Sequence, residues 1–200
     1  MDNNHIPDGV NNFGGYTKPW WDNSLKRRKL IHEYNTGDPT DLKRRYEILQ
    51  ELLGKADEYT IIEPPFHCDN GKNIFLGEHF YANYNLKILD GNKITIGDRV
   101  VVGPNVTIIG AGHAMHHEDR FNGHSHPIIT KPVTIGNDVW IGAGVIIQMG
   151  INIGSGSVIG SGSVVTKDIP ENVVAAGVPC KVLRPIDDRD HFDWPEGTGL

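Results

Sequence analysis

Aliphatic residues recur at every sixth position along the second half of the chain. The most regular stretch runs through Ile135, Ile141, Ile147, Ile153, Ile159 and Val165. An earlier stretch repeats the spacing at Ile96, Val102 and Ile108, after a weaker trace at Leu76, Ala82 and Ile88. Glycine follows the aliphatic residue in many of these repeats. A period of six matches neither the 3.6-residue period of a helix nor the alternation of an ordinary strand.

This period predicts an all-β solenoid in which each coil consists of three short strands. The aliphatic residue of each repeat points inward, and the next residue makes a corner where glycine is favoured because it tolerates positive φ. Stacked coils bury one continuous aliphatic column, so the repeats stabilise each other. An ordinary β-sandwich, the alternative, would show two-residue alternation and variable spacing.

Two segments interrupt the repeat. Residues 89–93 form a small bulge, and residues 114–131 form a long insertion rich in His, Asp, Asn and Pro. Long loops on regular scaffolds are often functional. We therefore expect the insertion to contribute to a site.

The N-terminal part of the chain predicts helices. A helix is expected over residues 38–53, with Asp38 as N-cap and Pro39 at the first helical position, and it can end at Gly54. Its apolar face is predicted to consist of Leu42, Tyr46, Leu49 and Leu53. A shorter helix is expected over 24–34, and both would cover the open strand edges of the solenoid.

The chain therefore divides into three parts. Residues 1–60 form an N-terminal segment and helical cap, 61–186 the β-helix with its insertion, and 187–200 a loosely held tail.

Composition narrows the function classes. The chain has 200 residues, a formal net charge of −6 and a pI near 5.9, which argues against non-specific binding to nucleic acid. It contains no apolar run long enough to span a bilayer and no visible secretory signal at residues 1–5. Two cysteines, Cys68 and Cys180, are usual for a reduced protein. We expect a cytoplasmic protein with neither nucleic acid nor membrane as partner.

Several motifs resemble the galactoside/maltose acetyltransferase family over roughly residues 24–190. They are YANYN at 81–85, GAGH at 110–113 with HHE at 116–118, IGNDVWIG at 135–142, VTKDIP at 165–170 and VAAGVPCKV at 174–182. The resemblance implies a left-handed parallel β-helix, a homotrimer with each active site between neighbouring subunits, and transfer of an acetyl group from acetyl-CoA to a sugar hydroxyl.

His113 is the predicted general base. Attack of an alcohol on a thioester needs a base, and the unperturbed pKa of histidine, about 6.5, lies close to working pH. His113 ends a repeat where the insertion begins, and it matches the catalytic histidine of the family. A histidine satisfied at an exposed corner is the alternative. His116 and His117 are expected to line the pocket or anchor the loop.

The histidines of the insertion also suggest a metal site. They are His113, His116, His117, His124 and His126. Their spacing lacks the cysteine or carboxylate pattern of a closed zinc site. We predict that no metal is required.

The resemblance also assigns residues to the sugar acceptor. Asn83 matches a position that contacts the acceptor near the catalytic histidine, although an asparagine ladder inside the coil is an alternative. Asp69 matches a position that hydrogen-bonds to sugar hydroxyls. Asp90, or else Gly91, falls where relatives place a further Asp that contacts the acceptor. Trp140 is expected to supply an apolar wall or simple packing.

The N-terminal segment departs from the family. An Asp that relatives carry in the sugar site aligns with Gly15, so Asp22 could replace it while Trp20 or Trp21 stacks on a sugar ring. The insertion is also three residues longer than in the galactoside enzymes. Both departures affect the acceptor side, so the donor is predicted better than the acceptor.

On the donor side, the backbone N–H of Ala143 matches one that faces the thioester carbonyl. Positions expected to contact pantetheine are Ser161, Thr166 and Lys167, and those expected to meet the CoA phosphates are Lys181 and Arg184. A solvated basic face is the alternative for the last two.

We therefore predict an acetyl-CoA-dependent sugar O-acetyltransferase. The alternatives are an acetyltransferase for a non-sugar hydroxyl, such as an antibiotic, serine or a glycan precursor, and a non-catalytic β-helix scaffold. A relative of the carbonic anhydrases is a further alternative, and it would need three histidines around zinc between subunits.

Overall fold

The computed structural model describes residues 18–121 and 126–193, with side chains from residue 22 onward. Two helices come first: α1 spans Lys18–Thr36 and α2 spans Leu42–Leu52. After them, the coils of the described chain form three sheets, to which successive coils contribute short strands in turn.

The strands of the coils pair in parallel, each with the strand one coil away. Sheet 1 contains Ile61–Ile62, Tyr81–Ala82, Val101–Val102, Trp140–Ile141, Val158–Ile159, Val173–Ala176 and, antiparallel at its end, Lys181–Pro185. Sheet 2 contains Phe66–Cys68, Leu86–Leu89, Thr107–Ile109, Ile146–Ile147 and Val164–Val165. Sheet 3 contains Ile74–Leu76, Ile94–Ile96, Val133–Ile135 and Asn152–Ile153. The predicted solenoid with a helical cap and a long insertion is confirmed.

The sixfold period marks the core. Every aliphatic residue of the strong repeats and of the weaker trace is at most 2 % exposed. Leu30 and Leu52 of the helices belong to the same core cluster, so the cap and the coils fold around one interior.

The glycines that follow the aliphatic residues have a different role from the predicted one. Positive φ occurs two residues further on, for example at Asp138 (58°) and Gly162 (72°). A Cβ on Gly142 would lie 2.6 Å from the backbone nitrogen of Ser161, and a Cβ on Gly154 would lie 2.4 Å from that of Glu171. Glycine is needed there because the next coil passes too close for a side chain.

This difference can be tested by two substitutions. Gly154→Ala is expected to destabilise the protein by about 3 kcal/mol, because the clashing atoms are backbone and cannot move aside. Gly162→Ala is expected to cost only about 1 kcal/mol, from left-handed strain, since no atom lies within 4 Å of its Cβ. Urea unfolding at one protein concentration measures both. Equal losses would restore the positive-φ explanation.

The helices differ from the prediction at their ends. The α2 helix begins later than expected: its N-cap is Asp41, whose side chain accepts a hydrogen bond from the N–H of Arg44, and not Asp38. Asp38 instead accepts bonds from both the N–H and the hydroxyl of Thr40, which forms a turn before the helix. The α1 helix is longer than the predicted 24–34.

The apolar face of α2 agrees with the prediction only towards its C-terminal end. The predicted Leu49 and Leu53 are buried together with Ile48 and Leu52, whereas Leu42 is 69 % exposed and Tyr46 is 37 % exposed. The later start of the helix leaves Leu42 at its first turn, outside the contact with the coils.

Polar side chains of the cap cover the edge of the first coil. The Asn35 side chain accepts from the N–H of Phe66 and donates to its carbonyl, as a neighbouring strand would. The Tyr34 hydroxyl and the Arg45 guanidinium both donate to the carbonyl of Ile62. The expected protection of open strand edges is therefore found.

The opposite end is closed by chain reversal. The strand Lys181–Pro185 pairs antiparallel with Val173–Ala176. A short 3₁₀ helix, Asp188–Asp190, folds back onto it, with Arg184 bound to Asp190 at 2.6 Å through both guanidinium nitrogens. Residues 187–190 are thus tied down, which differs from the predicted loose tail.

Candidate functional site

The corners of the coil position the predicted site residues. We call the turns that join sheet 1 to sheet 2 corner A (83–85, 103–105, 142–144 and 160–162). We call the turns that join sheet 2 to sheet 3 corner B (69–73, 90–93, the insertion after 110, 148–151 and 166–168).

His113 lies at corner B, on the insertion. The insertion leaves the coil as a two-stranded ribbon, Ala111–Gly112 paired antiparallel with Ile129–Thr130, and His113 follows its first strand. The Nδ1 atom of His113 lies 2.9 Å from the carbonyl oxygen of Pro127. A carbonyl only accepts, so Nδ1 carries the hydrogen and Nε2 keeps its lone pair. The ring is exposed, and in its neutral form this contact places the lone pair on Nε2.

The other histidines of the insertion have separate partners. His126 Nδ1 donates to the carbonyl of Arg120 at 3.0 Å, and its ring stands edge-on to His113. His116 stacks on His117, whose 3₁₀ helix spans His117–Arg120. His124 lies outside the described residues. Within residues 18–121 and 126–193, no three His, Cys, Asp or Glu side chains come together as a metal site would require.

Asp69 also lies at corner B, in the first coil. Its carboxylate is exposed at the end of the strand Phe66–Cys68. Partial shielding and the nearby Asp90 raise the pKa of Asp69, whereas Arg27 opposes the shift. A half-shielded carboxylate at a rim can accept hydrogen bonds from sugar hydroxyls.

Asp90 differs from its predicted role. Its side chain is 0 % exposed, and its Oδ1 accepts hydrogen bonds from the N–H groups of Asp69 and Asn70. Burial raises its pKa. The carboxylate faces the backbone of the preceding coil, so this geometry does not support a direct contact with an acceptor. Gly91, the alternative, packs against Ala111.

Asn83 lies at corner A, directly after the strand Tyr81–Ala82. Its Oδ1 accepts a hydrogen bond from the N–H of Tyr84, which directs the amide Nδ2 elsewhere as a donor. The asparagine pair of the coil forms between Asn85 and Asn105 instead, at 2.7 Å. Asn83 therefore does not belong to that ladder. Trp140, two strands away in sheet 1, is 55 % exposed and does not pack into the core.

Two predicted donor-side residues also lie at corner A. The N–H groups of Ala143 and Ser161 have no hydrogen-bond acceptor within the described part of the chain, whereas the N–H groups of Gly142 and Gly162 are both satisfied. Paired outward N–H groups of this kind can stabilise a negatively charged oxygen or bind an amide carbonyl.

The remaining donor-side residues are divided. Thr166 and Lys167 are exposed at corner B, directly after Val164–Val165. Lys181 and Arg184 are exposed on the last strand of sheet 1. The ion pair with Asp190 raises the pKa of Arg184 and lowers that of Asp190. Any phosphate that meets Arg184 must therefore compete with Asp190.

The predicted residues thus form two groups at the two ends of sheet 2. His113, Asp69, Thr166 and Lys167 lie at corner B, and Asn83, Ala143 and Ser161 lie at corner A. About five extended residues separate the corners of a coil, or roughly 15 Å at about 3.3 Å per residue. One chain does not bring the base and the free N–H groups together.

Sequence reasoning missed two contacts around His113 and the residue before it. The carbonyl of Pro127 fixes the His113 ring from the far side of the insertion, and Met149 of the next coil lies beside Gly112, 3.3 Å from where its Cβ would be. No spacing in the sequence marks either residue. Gly15 lies outside the described residues, the side chains of Trp20 and Trp21 are likewise outside them, and Asp22 is exposed on α1.

None of the helices in the described part of the chain is both long and apolar enough to cross a membrane.

Comparison with known proteins agrees with this geometry. The family model of the maltose acetyltransferase hexapeptide capping motif matches residues 22–57, and that of the hexapeptide repeat of succinyl-transferase matches residues 132–167. The galactoside O-acetyltransferase of Escherichia coli is 48 % identical over 166 residues, which cover 83 % of this chain and 80 % of that protein. A putative acetyltransferase of Saccharomyces cerevisiae is 55 % identical over 170 residues, covering 83 % and 85 %.

A solved structure extends the similarity to three dimensions. A galactoside acetyltransferase in complex with coenzyme A superposes with a TM-score of 0.83 and 42 % identity, over 96 % of this chain and 98 % of the other. With the capping motif, the repeats and these relatives in agreement, the chain belongs to the galactoside/maltose O-acetyltransferase family of hexapeptide-repeat enzymes.

Proposed function

We propose that this chain transfers the acetyl group of acetyl-CoA to a hydroxyl of a galactoside- or maltose-like sugar, with His113 as general base. The observation that supports the proposal most directly is the 2.9 Å contact from His113 Nδ1 to the Pro127 carbonyl, because it leaves Nε2 free to accept a proton. The similarity to galactoside enzymes, one of them bound to coenzyme A, supports the donor and the class of acceptor.

In the proposed reaction, Nε2 of His113 removes the hydroxyl proton while the hydroxyl oxygen bonds to the acetyl carbonyl carbon. The N–H of Ala143 donates to the carbonyl oxygen as negative charge develops there. The C–S bond then breaks, and the imidazolium returns its proton to the departing sulfur. The products are the acetyl ester and the CoA thiol, and His113 is neutral again.

The residues predicted for the acceptor and those predicted for the donor would have separate binding roles. Asp69 and Asn83 would orient the acceptor, with Trp140 as an apolar wall. Ser161, Thr166 and Lys167 would contact the pantetheine arm, while Lys181 attracts the phosphates. The fit of this surface to coenzyme A is supported by its unsatisfied N–H groups and exposed cations.

A homotrimer would complete the site. If sheet 2 of each subunit faces a three-fold axis, corner B of one subunit lies next to corner A of its neighbour. His113 of one subunit then meets the Ala143 N–H of the next, across a groove for acetyl-CoA. Since neither corner alone holds all the required groups, the site would be incomplete in a monomer.

Both cysteines are free thiols, which suits a reducing compartment. We propose the cytoplasm, with no nucleic-acid or membrane partner and no metal in the reaction.

The test is thiol release from acetyl-CoA in the presence of galactosides, maltose, serine and a hydroxyl-bearing antibiotic. We expect release that depends on a galactoside or maltose and an ester product that mass spectrometry identifies. Release with only serine or only the antibiotic would contradict the proposed sugar acceptor but would still support acetyl-CoA as the donor. Failure to bind acetyl-CoA in calorimetry would contradict the enzymatic function and favour a scaffold.

A further inference from the structure

Asp90 buries a carboxylate beside the acceptor side of corner B. It follows the strand Leu86–Leu89, and its side chain is 0 % exposed. The turn that carries Asp69 lies one coil before it, because Phe66–Cys68 pairs in register with Leu86–Ile88. A buried carboxylate is unusual in a coil whose interior is largely aliphatic, and it needs an explanation.

One oxygen of Asp90 holds the Asp69 turn. Oδ1 accepts hydrogen bonds from the N–H of Asp69 at 3.0 Å and from the N–H of Asn70 at 2.8 Å. The backbone carbonyl of Asp90 accepts a third bond, from Nδ2 of Asn73 at 2.8 Å. Both ends of the turn from 69 to 73 are therefore fixed to a single residue of the next coil.

The other oxygen of Asp90 has no such role. Oδ2 is buried and has no hydrogen-bond partner within the described part of the chain. An unpaired buried oxygen destabilises the fold. The unpaired Oδ2 gives no reason why the carboxylate should be buried. The hydrogen bonds that Oδ1 accepts from the turn do give one.

The helical cap holds the same turn from outside. Nε of Arg27, on α1, donates to the carbonyl oxygen of Asp69 at 3.3 Å. The N–H of Asp69 is bound from the interior and its carbonyl from the cap. With its backbone fixed on both sides, the exposed carboxylate of Asp69 projects from a rigid base.

We infer that Asp90 is a positioning residue of the acceptor site, which orients Asp69 through the backbone of its turn and does not itself contact the sugar. The inference rests on the proposed function, since it takes Asp69 to be an acceptor-binding residue. When the acceptor must be aligned for attack, a residue that holds a binding group in position can matter as much as the binding group itself.

The experiment compares Asp90→Asn, which retains an oxygen that can accept both backbone bonds, with Asp90→Ala, which retains none. Steady-state kinetics with acetyl-CoA and the acceptor found above gives both KM values. We expect Asp90→Ala to raise the KM for the acceptor about tenfold, the size expected from two lost hydrogen bonds, and to leave the KM for acetyl-CoA unchanged. Asp90→Asn should stay within about twofold of the parent enzyme.

A double-mutant cycle with Asp69→Ala tests the route. If Asp90 acts through Asp69, Asp90→Ala raises the acceptor KM no further once Asp69 is alanine. Additive effects, or an Asp90→Asn variant as impaired as Asp90→Ala, would overturn the inference, because the carboxylate would then act on the acceptor directly.

Hydrogen exchange keeps this result separate from the proposed function. The amides of Asp69 and Asn70 should exchange faster in Asp90→Ala but not in Asp90→Asn, whatever the acceptor is. Unchanged exchange in both variants would overturn the inference even in an active enzyme. If exchange is faster in Asp90→Ala but the parent enzyme acts on no sugar, the result would support the role of Asp90 in holding the turn and contradict the proposed acceptor.

Discussion

Replacing His113 with alanine is expected to lower kcat by roughly 10²–10⁴-fold, the usual contribution of a general base. The variant loses the imidazole whose Nδ1 is held by the Pro127 carbonyl and whose Nε2 would accept the proton. Binding of acetyl-CoA should change little, because the predicted donor contacts come from other residues. Thiol release measures kcat, and calorimetry measures donor binding.

His117→Ala is the matched control. It removes an exposed imidazole from the same insertion, where His117 stacks on His116. We expect it to keep most of kcat. If it were as impaired as His113→Ala, or if His113→Ala remained active, the assignment of the base would be wrong.

Mixed trimers of two inactive variants are expected to recover activity. His113→Ala damages corner B, and Asn83→Ala damages corner A. In a trimer that contains both, one of the three junctions joins an intact corner B to an intact corner A. Trimers isolated by two different tags should therefore show about one third of the parental kcat.

The control for this experiment combines two lesions at the same corner. Trimers of His113→Ala and Asp69→Ala have a damaged corner B at every junction, so no recovery is expected. Recovery in this control, or its absence in the first pair, would show that the site is not divided between the two corners of neighbouring subunits. A monomer by analytical ultracentrifugation would exclude the arrangement outright.

The periodic part of the fold was predictable because each coil repeats the same packing problem. Ile135 pairs in register with Ile153 of the next coil, and Ile141 pairs in the same way with Ile159, so each inward position recurs in an equivalent environment and the period of six reports it. The local reason for glycine was not predictable. A Cβ on Gly154 would clash with an atom 17 residues away, at Glu171, and neither φ preference nor composition contains that information.

The non-periodic parts were less predictable, since several local solutions compete. Asp38 was predicted as the N-cap, but its side chain is bound by Thr40, and Asp41 caps the helix instead. For the site, motif resemblance identified His113, but Pro127 orients it from the other end of the insertion. The resemblance assigned Asp90 a contact with the acceptor, and no local pattern indicates that its side chain is 0 % exposed.

The two ends of the solenoid have a further consequence, for solubility. Stacked flat strands present backbone groups at each open end, and copies that joined end to end would grow into fibrils. At one end Asn35 already occupies the backbone groups of Phe66. At the other, the reversed strand places Lys181, Arg184 and Pro185 outermost, and a lysine, an arginine and a proline all discourage strand addition. The two closed ends thus prevent further copies from adding to the solenoid. A variant that lost either closure would be at risk of polymerising along the coil axis.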